Sequence, residues 1–164
     1  MKKTLLIIVL ITFCASLQAQ EKEKVKLYNP DLDGMEQIDK AIEAASTSGK
    51  HVFVQVGGNW CSWCILFDKY VREDQELKDF VNKNYVVVHL NMSPENKNEE
   101  SFARLCYPQR FGYPVFVILD AKGKRVHTQD SGILEEGKGY NRKHVMGFFR
   151  NWTVVAVDPA TYKK

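Results

Sequence analysis

Apolar positions along the chain fall into two kinds of pattern. Three short runs, "HVFVQV" (51–56), "YVVVHL" (85–90) and "PVFVIL" (114–119), are nearly continuous, as strands buried on both faces should be. Between them apolar residues recur every three or four positions, the period of an amphipathic helix. Met35, Ile38, Ala41, Ile42 and Ala45 define a first helix. Asp33 followed by Glu36 resembles a capping box at its start, and Gly49 stops it. Cys64, Phe67, Tyr70 and Val71 define a second helix after the break at Gly57, Gly58 and Asn59, and a further helical piece covers Gln75 to Val81. A short helix is expected around Glu99–Cys106, a hairpin partner strand at "RVHT" after the turn "DAKGK", a loop at "DSGILEEGKGYN", and a closing helix marked by Val145, Phe148, Phe149 and Trp152. A short strand at Val25–Leu27 precedes them. This order predicts an α/β fold, a central mixed β-sheet flanked by helices on both faces. No internal repeat is visible.

The N-terminus changes the picture. Lys2 and Lys3 precede an apolar run from Leu5 to Phe13, and small and polar residues follow to "SLQAQ". This is the layout of a secretory signal peptide, cut after Ala19. The run is shorter than the roughly 20 residues a membrane span needs, so no stable membrane insertion is expected after cleavage. Bulky Phe13 argues against Cys14 as a lipoprotein anchor. The expected organisation is a signal peptide over 1–19, an N-terminal tether over 20–32, one domain over 33–157 and a tail over 158–164. Removing 19 of the 164 residues leaves 145, enough for a single core. Of the 23 basic residues two leave with the signal, which balances 21 against 20 acidic ones. A nearly neutral chain without a basic stripe does not suit nucleic acid.

The remaining cysteines are Cys61, Cys64 and Cys106. Export implies an oxidising compartment, the periplasm, yet three cysteines do not make a disulfide scaffold. "GGNWCSWCILF" (57–67) admits a zinc half-site, a structural disulfide or a reactive dithiol. Zinc needs four ligands; no second C-x-x-C exists, and His89, His127 and His144 lack paired spacing. A haem attachment needs histidine where Ile65 stands. A structural disulfide across two residues constrains the unfolded chain little. Cys61 falls where a strand and a Gly-Gly turn lead into a helix, where free N–H groups and the helix dipole favour a thiolate. Cys64 lies one turn on, inside the helix. An exposed, reactive first sulfur and a shielded second one suit thiol–disulfide exchange, in which one attacks and the other resolves.

"VFVQVGGNWCSWC", "YVVVHLNM" and "FGYPVFVILDAKGKRV" together resemble the thioredoxin superfamily, and more closely its small exported members related to bacterial disulfide reductases. The likeness covers roughly residues 33 to 155. It implies a thioredoxin fold, no metal and no organic cofactor, a catalytic pair Cys61 and Cys64, and a cis-proline at Pro114 shaping a substrate groove. Trp60, Ser62, Trp63 and Tyr113 would line that groove. It further implies protein thiols or disulfides as partners, an upstream redox partner, a monomer, and a lean toward the reductase direction. Several family features are replaced. Ser62-Trp63 stands for Gly-Pro between the cysteines, Gln55 for a buried carboxylate and His89 for a facing lysine, and the family's helix-kinking proline falls near Lys69, where this chain has none. Gln55 and His89 are therefore candidates for a proton relay. Cys106 reads as a small buried hydrophobe, and His144 as solvated. The rival reading is a thioredoxin-fold binding or chaperone module whose disulfide is only structural.

Overall fold

The computed structural model describes residues 26–163. The expected leader, Cys14 and the first part of the tether lie outside them, and Lys26 and Leu27 form no strand. The first helix, α1, spans Gly34–Ser48. Asp33 caps it by accepting from the N–H groups of Met35 and Glu36, and Gly49, with φ 65°, takes the left-handed position that ends it. Glu36 pairs with Lys40, one turn along the same face, in place of the return half of a capping box.

β1 (His51–Gly57) is followed by α2 (Ser62–Glu73) and α3 (Gln75–Asn84). The break between the helices falls at Asp74, which leaves the helical region (φ −88°, ψ 108°) and caps α3 through Leu77 N–H. No proline is required for it. β2 (Tyr85–Asn91) pairs in parallel with β1, placing Gln55 beside His89. α4 (Glu99–Arg104) follows, then β3 (Val115–Leu119) and β4 (Arg125–Asp130). The sheet order is β2-β1-β3-β4, and β3 runs antiparallel to both neighbours. Alternation of strand and helix by itself predicts parallel pairing up to the hairpin, and β3 departs from it. At 1.5 Å per residue, α4 extends only about 9 Å, against roughly 23 Å for a seven-residue strand. It does not carry the chain back along the sheet, so β3 enters from the end where β2 finished.

The expected loop after β4 has structure of its own. β5 (Glu135–Glu136) and β6 (Gly139–Tyr140) form a small hairpin, and buried Tyr140 anchors it on α2 by donating to the Trp63 carbonyl at 3.2 Å. α5 (Arg142–Asn151) and a short α6 (Val154–Val157) close the chain. Strand alternation splits the core in two. Val52, Val54, Val56, Val88, Leu90, Val115, Val117 and Leu119 pack with Ile38 and Ala45 of α1 and Phe102 of α4. Phe53, Tyr85, Phe116 and Ile118 pack on the other face with Phe67, Leu77, Phe148 and Phe149.

Cys106 is exposed, contrary to its reading as core. α4 ends two residues earlier, Leu105 takes the buried position, and Cys106 and Tyr107 turn through positive φ (59° and 53°). The helical period that would have carried Cys106 inward stops before reaching it. His144 is exposed on α5.

Candidate active site

The chain leaves β1 at Gly57 and turns through Gly58 and Asn59, with Cys61 N–H returning to the Gly58 carbonyl at 3.0 Å. Cys61 is the N-cap of α2, and its Sγ accepts from Cys64 N–H at 3.1 Å. The two sulfurs are joined in a disulfide, with Cα atoms 5.2 Å apart. Ser62, the first helical residue, is exposed. The asymmetry in accessibility is smaller than the sequence suggests: Cys61 keeps 5% of its surface and Cys64 none. In the bonded state Cys61 shares a small apolar cluster with Tyr28 and Cys64, flanked by Leu27, Trp63, Ile65 and Tyr113.

Outside the dithiol stands an aromatic rim. Trp60 is 57% exposed and is tied down by Nε1–H donating to the Met92 carbonyl at 2.6 Å. Its ring meets Tyr113 edge-on at 5.3 Å. The Tyr113–Pro114 peptide bond is cis. The Tyr113 hydroxyl is buried without a partner among the described residues, and its cleft is also lined by Gln109, whose Oε1 is likewise unpaired. Trp63 turns the other way and packs edge-on against Tyr140 at 5.5 Å.

Behind the dithiol lies a polar cluster. Gln55 is 1% exposed, and its Nε2 donates to the Cys64 carbonyl at 2.9 Å and to the Tyr28 hydroxyl at 2.7 Å. Gln55 therefore does reach the dithiol, through backbone rather than sulfur. His89 packs edge-on with Tyr28 at 5.7 Å, and its Nε2 lies 3.5 Å from Asp68 Oδ1. Arg72 Nε donates to the other Asp68 oxygen at 2.7 Å. Burial works to raise the Asp68 carboxyl, but hydrogen bonds from His89 and Arg72 outweigh it and hold it below the usual carboxylate range. Two members of this cluster escaped the sequence reading. Asp68 sits four residues after Cys64, on the same helical face, a spacing that could have revealed it. Tyr28 lies in a stretch read as tether and gives no periodic signal. Among the described residues no group of three or more His, Cys, Asp or Glu side chains is placed to hold a metal ion, and no helix is long and apolar enough to cross a membrane.

The thioredoxin-like family model matches residues 33–121, a span that holds β1, the bonded cysteine pair and β3. The chain belongs to the thioredoxin-like family. Among solved structures, this thioredoxin-like chain is similar to a disulphide isomerase from Xylella fastidiosa, with 25% identity and a TM-score of 0.68 over 77% of this chain and 95% of the other. It shares the fold of a thioredoxin from Thermus thermophilus, with 21% identity and a TM-score of 0.54 over 76% of this chain and 88% of the other. Among curated proteins it is 23% identical over 95 residues to the thiol:disulfide interchange protein DsbD of Pseudoalteromonas atlantica, a match that covers 56% of this chain and 15% of that protein's length. This thioredoxin-like chain carries its two sulfurs joined at the head of α2, a bond of the kind that thiol–disulfide exchange makes and breaks.

Proposed function

We propose that the chain is exported to the periplasm and exchanges disulfides with protein substrates through Cys61 and Cys64, Cys61 attacking and Cys64 resolving, in the reductase direction. The observation that carries this reading is the cap geometry: Cys61 Sγ already accepts a backbone N–H at the N-terminus of a 12-residue helix. That hydrogen bond and the helix dipole stabilise the sulfur as an anion. α2 carries no acidic residue in its first turn to oppose this. Trp60, Tyr113 and Pro114 form the wall against which an incoming peptide would lie, with Ser62 at its exposed edge and Trp63 behind. Protein thiols and an upstream redox partner complete the cycle, and the leader-like N-terminus supports export.

The near-burial of Cys61 favours a second reading, a binding module whose disulfide is structural. Cys106 supplies an internal control, because it is free and exposed. In the reduced protein, alkylation at mildly acidic pH should label Cys61 well before Cys106. A Cys64→Ser variant should accumulate mixed disulfides through Cys61. If Cys61 labels no faster than Cys106 and traps no partner, the structural reading stands.

A further inference from the structure

Tyr28 is 1% exposed, although it stands in a charged, turn-like stretch. Reciprocal hydrogen bonds clamp its backbone to the loop before Cys61: Tyr28 N–H donates to Asn59 Oδ1 at 3.0 Å, and Asn59 Nδ2 donates to the Tyr28 carbonyl at 2.7 Å. The ring continues behind the dithiol and packs with Cys61 and Cys64. Its hydroxyl oxygen accepts from Gln55 Nε2, and its own hydrogen has no acceptor among the described residues. Gly57 makes room for the approach. A β-carbon there would overlap Cys64 Sγ and lie 2.9 Å from the Tyr28 hydroxyl oxygen. Sulfur and hydroxyl flank one missing side chain.

We propose that the Tyr28 hydroxyl donates a hydrogen bond to the Cys64 thiolate and so drives the resolving half of the exchange. The proposal rests on the roles assigned above to Cys61 and Cys64. In the mixed disulfide, Cys64 loses its proton and attacks Cys61 Sγ. The Cys61–Cys64 bond forms as the bond between Cys61 and the substrate sulfur breaks. The electron pair leaves on the substrate sulfur, which takes up a proton. The substrate disulfide is reduced by two electrons and the dithiol is oxidised. Tyr28 keeps its proton throughout and lends only its hydrogen bond.

Cys64 is fully buried, so an unassisted thiolate there would be a buried charge without a partner. The charged and titratable groups facing this corner are Asp68 of α2, with Arg72 bound to it, His89 of β2 and Tyr140 of β6. Asp68 opposes a second negative charge nearby, Arg72 and His89 Nε2 are turned to Asp68, and the Tyr140 hydroxyl donates to the Trp63 carbonyl. The neutral phenol is the donor left. Burial, with Asp68 adding to it against the Gln55 hydrogen bond, raises the Tyr28 phenol well above its ordinary value. It therefore stays a donor across the working range. Gln55 orients it, since the bond to Nε2 occupies an oxygen lone pair and leaves the O–H free to point elsewhere.

Tyr28→Phe keeps the ring and removes the donor. Stopped-flow tryptophan fluorescence on the full chain can separate formation of the mixed disulfide from its resolution. The first step, and alkylation of Cys61, should stay within about twofold of wild type. Resolution at neutral pH should slow about tenfold, the scale of one hydrogen bond to a charged group. Its pH midpoint should rise by about one unit, so that the deficit shrinks at alkaline pH, where Cys64 ionises unaided. A ring-fluorinated tyrosine at position 28, a stronger donor of the same shape, should speed resolution at neutral pH. This second variant carries the test if Tyr28→Phe does not fold. Wild-type resolution rates and pH midpoint in folded Tyr28→Phe, or in the fluorinated protein, overturn the proposal. A wild-type chain that forms no mixed disulfide through Cys61 overturns instead the roles on which it rests, and the separate first step tells the two failures apart.

Discussion

On the face of the sheet that meets α1 and α4, every inward position of β1, β2 and β3 is aliphatic: Val52, Val54 and Val56, Val88 and Leu90, Val115, Val117 and Leu119. One residue out of step, on the face that meets α2, the same strands carry Phe53, Gln55, Tyr85, His89, Phe116 and Ile118. The first face has only dispersion and apolar burial to offer. The second packs aromatics at one end and, toward the dithiol, a buried amide bonded to Tyr28 and to the Cys64 carbonyl. A two-residue period lets β1 serve both purposes at once. The difference teaches where chemistry can be housed. A polar side chain in a sheet interior must find partners, and Gln55 finds them only on the side where the cysteine helix lies.

The largest effect should come from the aliphatic face. Leu90 is fully buried, so Leu90→Ala should lower unfolding stability by about 2–5 kcal/mol. Denaturant midpoints measure this. Alkylation of Cys61 in the folded fraction should be unchanged. A change in dithiol reactivity comparable to the loss of stability would show that the two faces are coupled and that the division drawn above is wrong.

Gln55→Leu makes the complementary change on the other face. It keeps roughly the volume and removes the donor, leaving the Cys64 carbonyl and the Tyr28 hydroxyl oxygen without it. Unmade hydrogen bonds at buried groups cost about 1–3 kcal/mol, less than the cavity at Leu90. Unlike Leu90→Ala, it should also slow resolution of the mixed disulfide, because the Tyr28 hydroxyl loses its orientation. Loss of stability with unaltered resolution would reduce Gln55 to a packing residue.

The aliphatic face was legible in the sequence almost entirely, and the polar corner only in part. Continuous runs such as "PVFVIL" announce a buried strand whatever surrounds them, and the C-x-x-C following a strand and two glycines locates the dithiol. Gln55 was visible as a polar residue inside an apolar run. Tyr28 was not, because its burial depends on two side chain–backbone bonds to Asn59, 31 residues away, and neither periodicity nor composition records such a clamp. Cys106 was misread for a related reason. Its exposure follows from a positive φ just past the helix, a local backbone choice that overrides the helical period. The antiparallel direction of β3 was hidden as well, since it depends on how far α4 can carry the chain.

Asp68→Asn tests the corner through pH. The carboxyl is held below the usual range in the fold by His89 and Arg72 against the opposing effect of burial. A lowered folded value means that its contribution is present at neutral pH and is lost as pH falls through the carboxylate range toward that lowered value. The asparagine has no such contribution to lose. Wild type should therefore exceed Asp68→Asn in stability near pH 7, and the gap should close on acidification. A series of denaturant midpoints from pH 7 downward reads it directly. A gap that stays constant with pH would mean that Asp68 stabilises by shape and that its charge contributes nothing.

The smallest effect on stability belongs to the rim, at Trp60. With 57% of its surface exposed, the side chain buries little, and its ties are one hydrogen bond to the Met92 carbonyl and an edge contact with Tyr113. Trp60→Ala should change unfolding stability by no more than about 1 kcal/mol. Its effect should appear where a partner lies against the ring. An exposed aromatic beside a reactive sulfur is worth about 1 kcal/mol to a bound peptide, or roughly fivefold in rate at low substrate. A small disulfide that reaches only the sulfurs should gain nothing from it. Reduction of a protein disulfide by Trp60→Ala should thus slow about fivefold, while reduction of a small aromatic-free disulfide stays at the wild-type rate. The ratio of the two rates, taken on the same preparation, cancels any difference in folded fraction. An unchanged ratio would place the partner surface elsewhere than at Trp60 and Tyr113.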